Sequence, residues 1–147
     1  MGLEEKLLQD MNLAMKSGDK VALETIRMVR AQLKNASIAK GEDLSEEDVI
    51  EVLSKEAKKR KESLELYKQG GREDLVEKEE KELSVIASYL PEALSQEELE
   101  EIVDKAVEET GARSLMEMGK VMGVVMPQVK GRAEGKVVQE LVKKKLS

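Results

Sequence analysis

Residues 89–99 read YLPEALSQEEL, and this stretch holds the signals that divide the chain. Pro91 disfavours a helical conformation at Leu90, so a helix arriving from the N-terminal side ends about there. Ser95 and Glu98 then have the spacing of a capping box, in which a hydroxyl and a carboxylate serve the free amides of a new helix start. A helix stop followed closely by a helix start predicts a boundary. We therefore expect an N-terminal domain over residues 1–90 and a smaller C-terminal one over residues 91–147.

The same logic extends toward the N-terminus. Leu3, Leu7, Met11 and Met15 recur every fourth residue and predict one face of a first helix. Gly18 suits a left-handed C-cap, and Asp19 the N-cap of a second helix running to about Lys40. Its stripe is Ala22, Ile26, Val29, Leu33 and Ala36, and Gly41 ends it. LSEEDVIEVL opens a third helix with a variant capping box, Ser45 and Asp48. Val49, Leu53, Ala57, Leu64 and Tyr67 form its apolar face. The Gly70–Gly71 pair forces a turn, and a fourth helix follows from about Glu73 to Leu90, with Leu75, Leu83, Ile86 and Tyr89 or Leu90 inward.

Toward the C-terminus, a fifth helix uses Leu99, Ile102, Val103 and Ala106 before Gly111 closes it. Ser114 and Glu117 repeat the capping spacing for a short sixth helix, which Pro127 is expected to end. A seventh begins near residues 133–135 and buries Val138, Leu141, Val142 and Leu146. Neither strand-like alternation nor a fixed-period repeat occurs. The expected fold is all-α: a bundle of about four helices, then a small three-helix domain.

The 147 residues include no Cys, His, Trp or Phe, and two tyrosines, Tyr67 and Tyr89. A fold of this size hides roughly 70% of its unfolded surface, enough for a real core. The lack of cysteine suits a reducing compartment. MGLEEKLLQD lacks the basic and apolar regions of a signal peptide, and the longest apolar run, VMGVVMP, is far short of the ~20 residues a membrane helix needs. A soluble cytoplasmic protein without membrane contact is expected.

The missing residue types also restrict chemistry. Without Cys or His there is no Ser–His–Asp or Cys–His nucleophile system and no zinc site of the usual kind. Phosphate-binding glycine motifs are absent too. No metal or cofactor is expected. Glu79 with Glu82, and Glu56 with Arg60, sit one helical turn apart, where intrahelical ion pairs and solvated faces explain them. The run KEAKKRKE, Lys55–Glu62, reads as a salt-bridged helix face for the same reason.

Residues 118–147, by contrast, carry seven basic residues against Glu134 and Glu140, a local charge of +5, while residues 1–117 sum to −11. Met118, Met122 and Met126 share one helical face and suit core packing. Gly119 and Gly123 also lie four apart; each costs about 1 kcal/mol in a helix relative to alanine, and close approach of another backbone would explain them. In VKGRAEGK, Gly131 and Gly135 flank the start of the last helix, where free amides point outward, and Lys130, Arg132 and Lys136 cluster there. Free amides, a positive dipole end and three cations are the ingredients of a phosphate site; a tight turn with ordinary surface charges is the other reading. Lys143, Lys144 and Lys145 suit the C-terminal dipole end. Without Trp or Phe, nucleic acid would be contacted through its backbone and shape, as in folded RNA.

These residues carry a resemblance. MGKVMGVVMPQVKGRAEGKVVQELVKKKL resembles the C-terminal motif of the YqeY-like proteins, shared with the tail of the B subunit of Asp/Glu-tRNA amidotransferase. KKRKESLELYKQGGREDLVEKEEKEL and YLPEALSQEEL resemble the N-terminal part specific to YqeY-like proteins. Glu134 stands where the family pattern usually has Asp. The resemblance implies a helical N-terminal domain and a three-helix tail that in the amidotransferase engages the tRNA body, with catalysis carried out elsewhere. The leading expectation is a non-catalytic accessory protein of the bacterial cytosol that binds tRNA or other structured RNA. Lys130, Arg132 and Lys136 would contact phosphate, Gly131 and Gly135 would give backbone access, and Lys120 and Lys143 would contribute. A second reading is a protein–protein adaptor meeting amidotransferase or translation proteins through the acidic helices. A third is an amidotransferase-type carbon–nitrogen ligase with glutamine as nitrogen donor, using Glu79, Glu82 and Lys55; it lacks a recognisable nucleotide site.

Overall fold

Side-chain caps set three of the helix starts among the described residues, and left-handed glycines set three of the ends. Residues 2–147 are described by a computed structural model; among them lie seven α-helices and no strand. The chain divides into two compact units, Met1–Leu90 and Pro91–Ser147.

In the first unit, α1 spans Leu3–Ser17 and closes on Gly18, whose φ of 76° is the left-handed conformation that glycine adopts without strain. Helix α2, Lys20–Lys40, starts at Asp19, whose carboxylate accepts the Ala22 amide at 3.1 Å. Helix α3, Glu46–Gln69, has the complete Ser45–Asp48 capping box. Helix α4 spans Glu73–Ala87 and ends earlier than the sequence implied, the chain tightening through Ser88 and Tyr89. Leu7, Ile26, Val29, Leu33, Val49, Leu53, Ala57, Ile86 and Tyr89 form the core. The expected stripe of α1 is corrected at its end: Ala14 is buried and Met15 exposed. A four-residue repeat overshoots the 3.6-residue turn by about 40° each time, so Met15 has rotated out of the core line. Tyr89 is buried, donating its hydroxyl to Asp10 at 2.6 Å, with the Lys6 ammonium 5.4 Å from its ring centre.

In the second unit, α5 spans Gln96–Thr110, capped by Ser95, whose hydroxyl accepts the Glu98 amide at 3.1 Å; the expected box is half formed, since the Glu98 carboxylate meets the Ser95 hydroxyl, at 3.0 Å. A 3₁₀ turn, Leu115–Glu117, leads into α6, Met118–Val129, and α7 spans Gly135–Leu146. Leu99, Val103, Ala106, Val121, Val125, Val129, Val138, Leu141 and Val142 are at the centre of the core. Three expectations fail here. The Ser114 side chain caps nothing; the Glu117 carboxylate accepts the Arg113 amide instead. Pro127 lies inside α6 rather than ending it. A residue-127 amide would have engaged the Gly123 carbonyl, and Gly123 is exposed, where the loss of one helical bond costs less than it would in the core. No backbone packs on Gly119 or Gly123 either: a Cβ at each would meet nothing within 4 Å.

Candidate nucleic-acid interface

The α6–α7 turn is built by short backbone bonds. The Arg132 and Ala133 amides both donate to the Val129 carbonyl, at 2.8 and 3.1 Å, and Gly131 just before them holds a φ of 77°. Any other residue at 131 would be strained there. Glu134 is the N-cap of α7 without a capping side chain, and Val138 is the first residue of that helix to donate back, to the Glu134 carbonyl at 3.1 Å. The amides of Gly135, Lys136 and Val137 therefore precede the first intrahelical bond, at the positive end of the helix dipole.

Lys130 and Lys136 stand on either side of this turn, both exposed. Arg132 does something else. Its Nε donates to the Glu92 carbonyl at 3.1 Å, its guanidinium lies 3.9 Å from the Glu98 carboxylate, and its own carbonyl accepts the Leu94 amide at 2.9 Å. Arg132 thus straps residues 91–95 onto the turn, and its positive charge is partly spent inside the unit. Gly135 begins α7, exposed, with the Met126 methyl 3.8 Å from where a Cβ would stand. Lys120 is exposed in the first turn of α6, and Lys143 and Lys144 are exposed in the last turn of α7. Lys145 pairs with Asp104 at 3.0 Å, which raises its pKa chiefly through that hydrogen bond. Met118, Met122 and Met126 are half-buried against the core, as packing residues.

Charge in this unit divides by element. Helix α5 carries seven carboxylates against Lys105, while residues 118–147 hold the +5. An anion is therefore attracted to α6, α7 and their turn, and repelled by α5.

Of the other residues singled out in the sequence, Glu56, Arg60, Glu79 and Glu82 come together in one ion cluster and Lys55 stays outside it. Lys55 is exposed beside Glu51 at 3.4 Å. Glu79 and Glu82 bind the Arg60 guanidinium together with Glu56, the last at 3.1 Å from Nε. Glu56 also accepts from Gln32 at 3.0 Å. The four charged side chains are only 8–17% exposed, so Arg60 ties α3 to α4 in the interior of the first unit. Reading KEAKKRKE as a solvated face missed this, because two of the partners lie 19 and 22 residues away. Among the described residues, no group of three His, Cys, Asp or Glu side chains could hold a metal ion.

The family model described as Yqey-like protein matches residues 4–146. The chain belongs to the YqeY-like family. It is 38% identical over 145 residues to altered inheritance of mitochondria protein 41, mitochondrial, of Pyrenophora tritici-repentis, covering 96% of this chain and 77% of that protein. The protein of the same name from Lachancea thermotolerans is 39% identical over 85 residues, 57% of this chain and 46% of its own. A glutamyl-tRNA(Gln) amidotransferase subunit of Thermococcus gammatolerans is 40% identical over 57 residues, 36% of this chain and 9% of its own. The last match supports the expected likeness to an amidotransferase subunit. The fungal names refer to mitochondria and give no support to the bacterial cytosolic setting expected from the sequence. No helix among the described residues is long and apolar enough to cross a membrane.

Proposed function

We propose that this protein binds structured RNA, tRNA above all, through the face formed by α6, α7 and their turn, and that it acts as a non-catalytic accessory of translation or of the tRNA-dependent amidotransferase route. The observation that carries the reading is the segregation of charge: exposed Lys120, Lys130, Lys136, Lys143 and Lys144 on α6, α7 and their turn, against seven carboxylates on α5. The similarity to a subunit of an enzyme named for Glu-tRNA(Gln) supports tRNA as the class of RNA. Both units are net negative, −4 for the first and −2 for the second, so the local excess of +5 over residues 118–147 is what draws phosphate to the second unit. Lys130 and Lys136 contact phosphate, the free amides of α7 donate to one of its oxygens, and Arg132 holds the turn in shape. The ligase reading gains nothing from the geometry, since Glu79 and Glu82 are both taken up by Arg60 while Lys55 pairs with Glu51.

The test is filter binding of purified bulk tRNA to the wild type and to a Lys120/Lys136/Lys143→Ala variant. Binding by the wild type, weakened at least about tenfold in the variant, supports the reading. Equal binding by both proteins, or none by a folded wild type, refutes it.

A further inference from the structure

The first unit has an open groove of about 710 Å³ between α1 and α2 that the RNA reading leaves unexplained. Buried Leu7 and Leu33 lie at its floor, and Leu8 and Ile38 stand in it 41% and 69% exposed. Along α2, Arg27, Arg30 and Lys34 follow one another at helical spacing on its rim. Arg27 lies against the Met15 sulfur at 3.6 Å and Arg30 against the Met11 sulfur at 3.3 Å. Among the described residues, no carboxylate forms an ion pair with any of these three cations. Thioethers thus hold the two guanidinium groups in position without neutralising them, in a unit whose net charge is negative.

We propose that this groove docks one amphipathic α-helix of a protein partner, with apolar side chains on the Leu8–Ile38 floor and acidic side chains facing Arg27, Arg30 and Lys34. From residue 27 to residue 38 the rim is about 16 Å long, so the partner helix needs about three turns. Charge complementarity selects the occupant: the rim asks for carboxylates at i, i+3 or i+4, and i+7. Glu4 and Glu5 at the far end repel a phosphate backbone and accept a basic residue near one end of the bound helix. RNA is the poorer fit, because the floor is aliphatic and offers no ring on which bases stack. A second copy is also the poorer fit. Apart from α1, which is itself a wall of the groove, each α-helix among the described residues exposes at most one large apolar side chain, and the exposed pair Leu115 and Met116 lies on a single 3₁₀ turn, too short to fill it. The inference stands apart from the RNA reading and involves residues of the first unit alone.

The experiment is selection of a displayed library of 16-residue peptides on the full chain, followed by fluorescence anisotropy with the enriched peptides. Counter-measurements use Arg27→Glu/Arg30→Glu and Ile38→Ser, all at exposed positions. The expected result is a helical pattern of apolar residues flanked by Asp and Glu, bound about tenfold more weakly by each variant. The charge-reversed variant should itself select Lys- and Arg-bearing helices. Three results overturn the proposal: no such pattern, or peptides that bind both variants as well as the wild type; a tRNA shift lost in Arg27→Glu/Arg30→Glu but kept in Ile38→Ser; or self-association in sedimentation abolished by Ile38→Ser, which makes the occupant a second copy.

Discussion

Arg60 holds three carboxylates in the interior of the first unit, and replacing it with methionine should be the most damaging single change to a surface-type residue in this protein. The guanidinium is 14% exposed, and Glu56, Glu79 and Glu82 are 8%, 17% and 14% exposed, so solvent screens the cluster only weakly. Removing one partner of a buried pair costs about 3–5 kcal/mol, because the other charge is left uncompensated. Here three like charges lose their only shared cation in this cluster. With a urea dependence of about 1–3 kcal/mol per molar, a loss of about 3 kcal/mol lowers the unfolding midpoint by roughly 1–3 M. The opposite change tests the same logic. One cation faces three carboxylates, so Glu79→Gln removes surplus negative charge and should cost under about 1 kcal/mol. Urea unfolding followed by far-ultraviolet circular dichroism gives both values. An Arg60→Met variant within about 1 kcal/mol of wild type, or a Glu79→Gln variant as damaged as Arg60→Met, would refute the reasoning.

Leu53→Ala, at a fully buried position where α3 enters the first core, should destabilise the protein by about 2–5 kcal/mol in the same assay. Arg132→Ala removes the bond to the Glu92 carbonyl and the contact with Glu98; it should increase amide exchange at Leu94, whose partner is the Arg132 carbonyl, whereas Lys136→Ala should not. Asp48 has its carboxyl pKa lowered from 3.8 to about 2, first by the Lys40 hydrogen bond and then by the Ser45 amide and hydroxyl. Its ionised form is favoured in the folded state, so its contribution is present above about pH 4 and fades as pH falls through about 2. Asp48→Asn should therefore be less stable than wild type at neutral pH, with the gap closing below about pH 2.

Helix starts were legible because capping is local chemistry. Asp19, Ser45 and Ser95 each accept an amide three residues ahead, and Gly18, Gly41 and Gly111 each end a helix with positive φ. Ser114 has the same spacing to Glu117 yet caps nothing, since the segment is a 3₁₀ turn and the carboxylate goes to the Arg113 amide. Pro127 misled because an exposed carbonyl one turn back tolerates the lost bond. What a sequence motif cannot display is long-range pairing. Arg132 reaches Glu92 across 40 residues and Arg60 reaches Glu82 across 22. One therefore looked like a phosphate ligand and the other like part of a solvated run. Lys120, Lys136 and Lys143 are exposed, and exposure is what a run of charge in an amphipathic helix already implies.

The most direct test of the RNA reading is the salt dependence of tRNA binding, with log affinity plotted against log salt concentration for the wild type and a Lys136/Lys143→Ala variant. Each phosphate contact contributes about 0.7–0.9 to the slope, so losing two should flatten it by roughly 1.5. A steep wild-type slope that the variant flattens by that amount is the predicted result. Identical slopes in the two proteins, or binding indifferent to salt, would contradict a phosphate-reading face on α6 and α7.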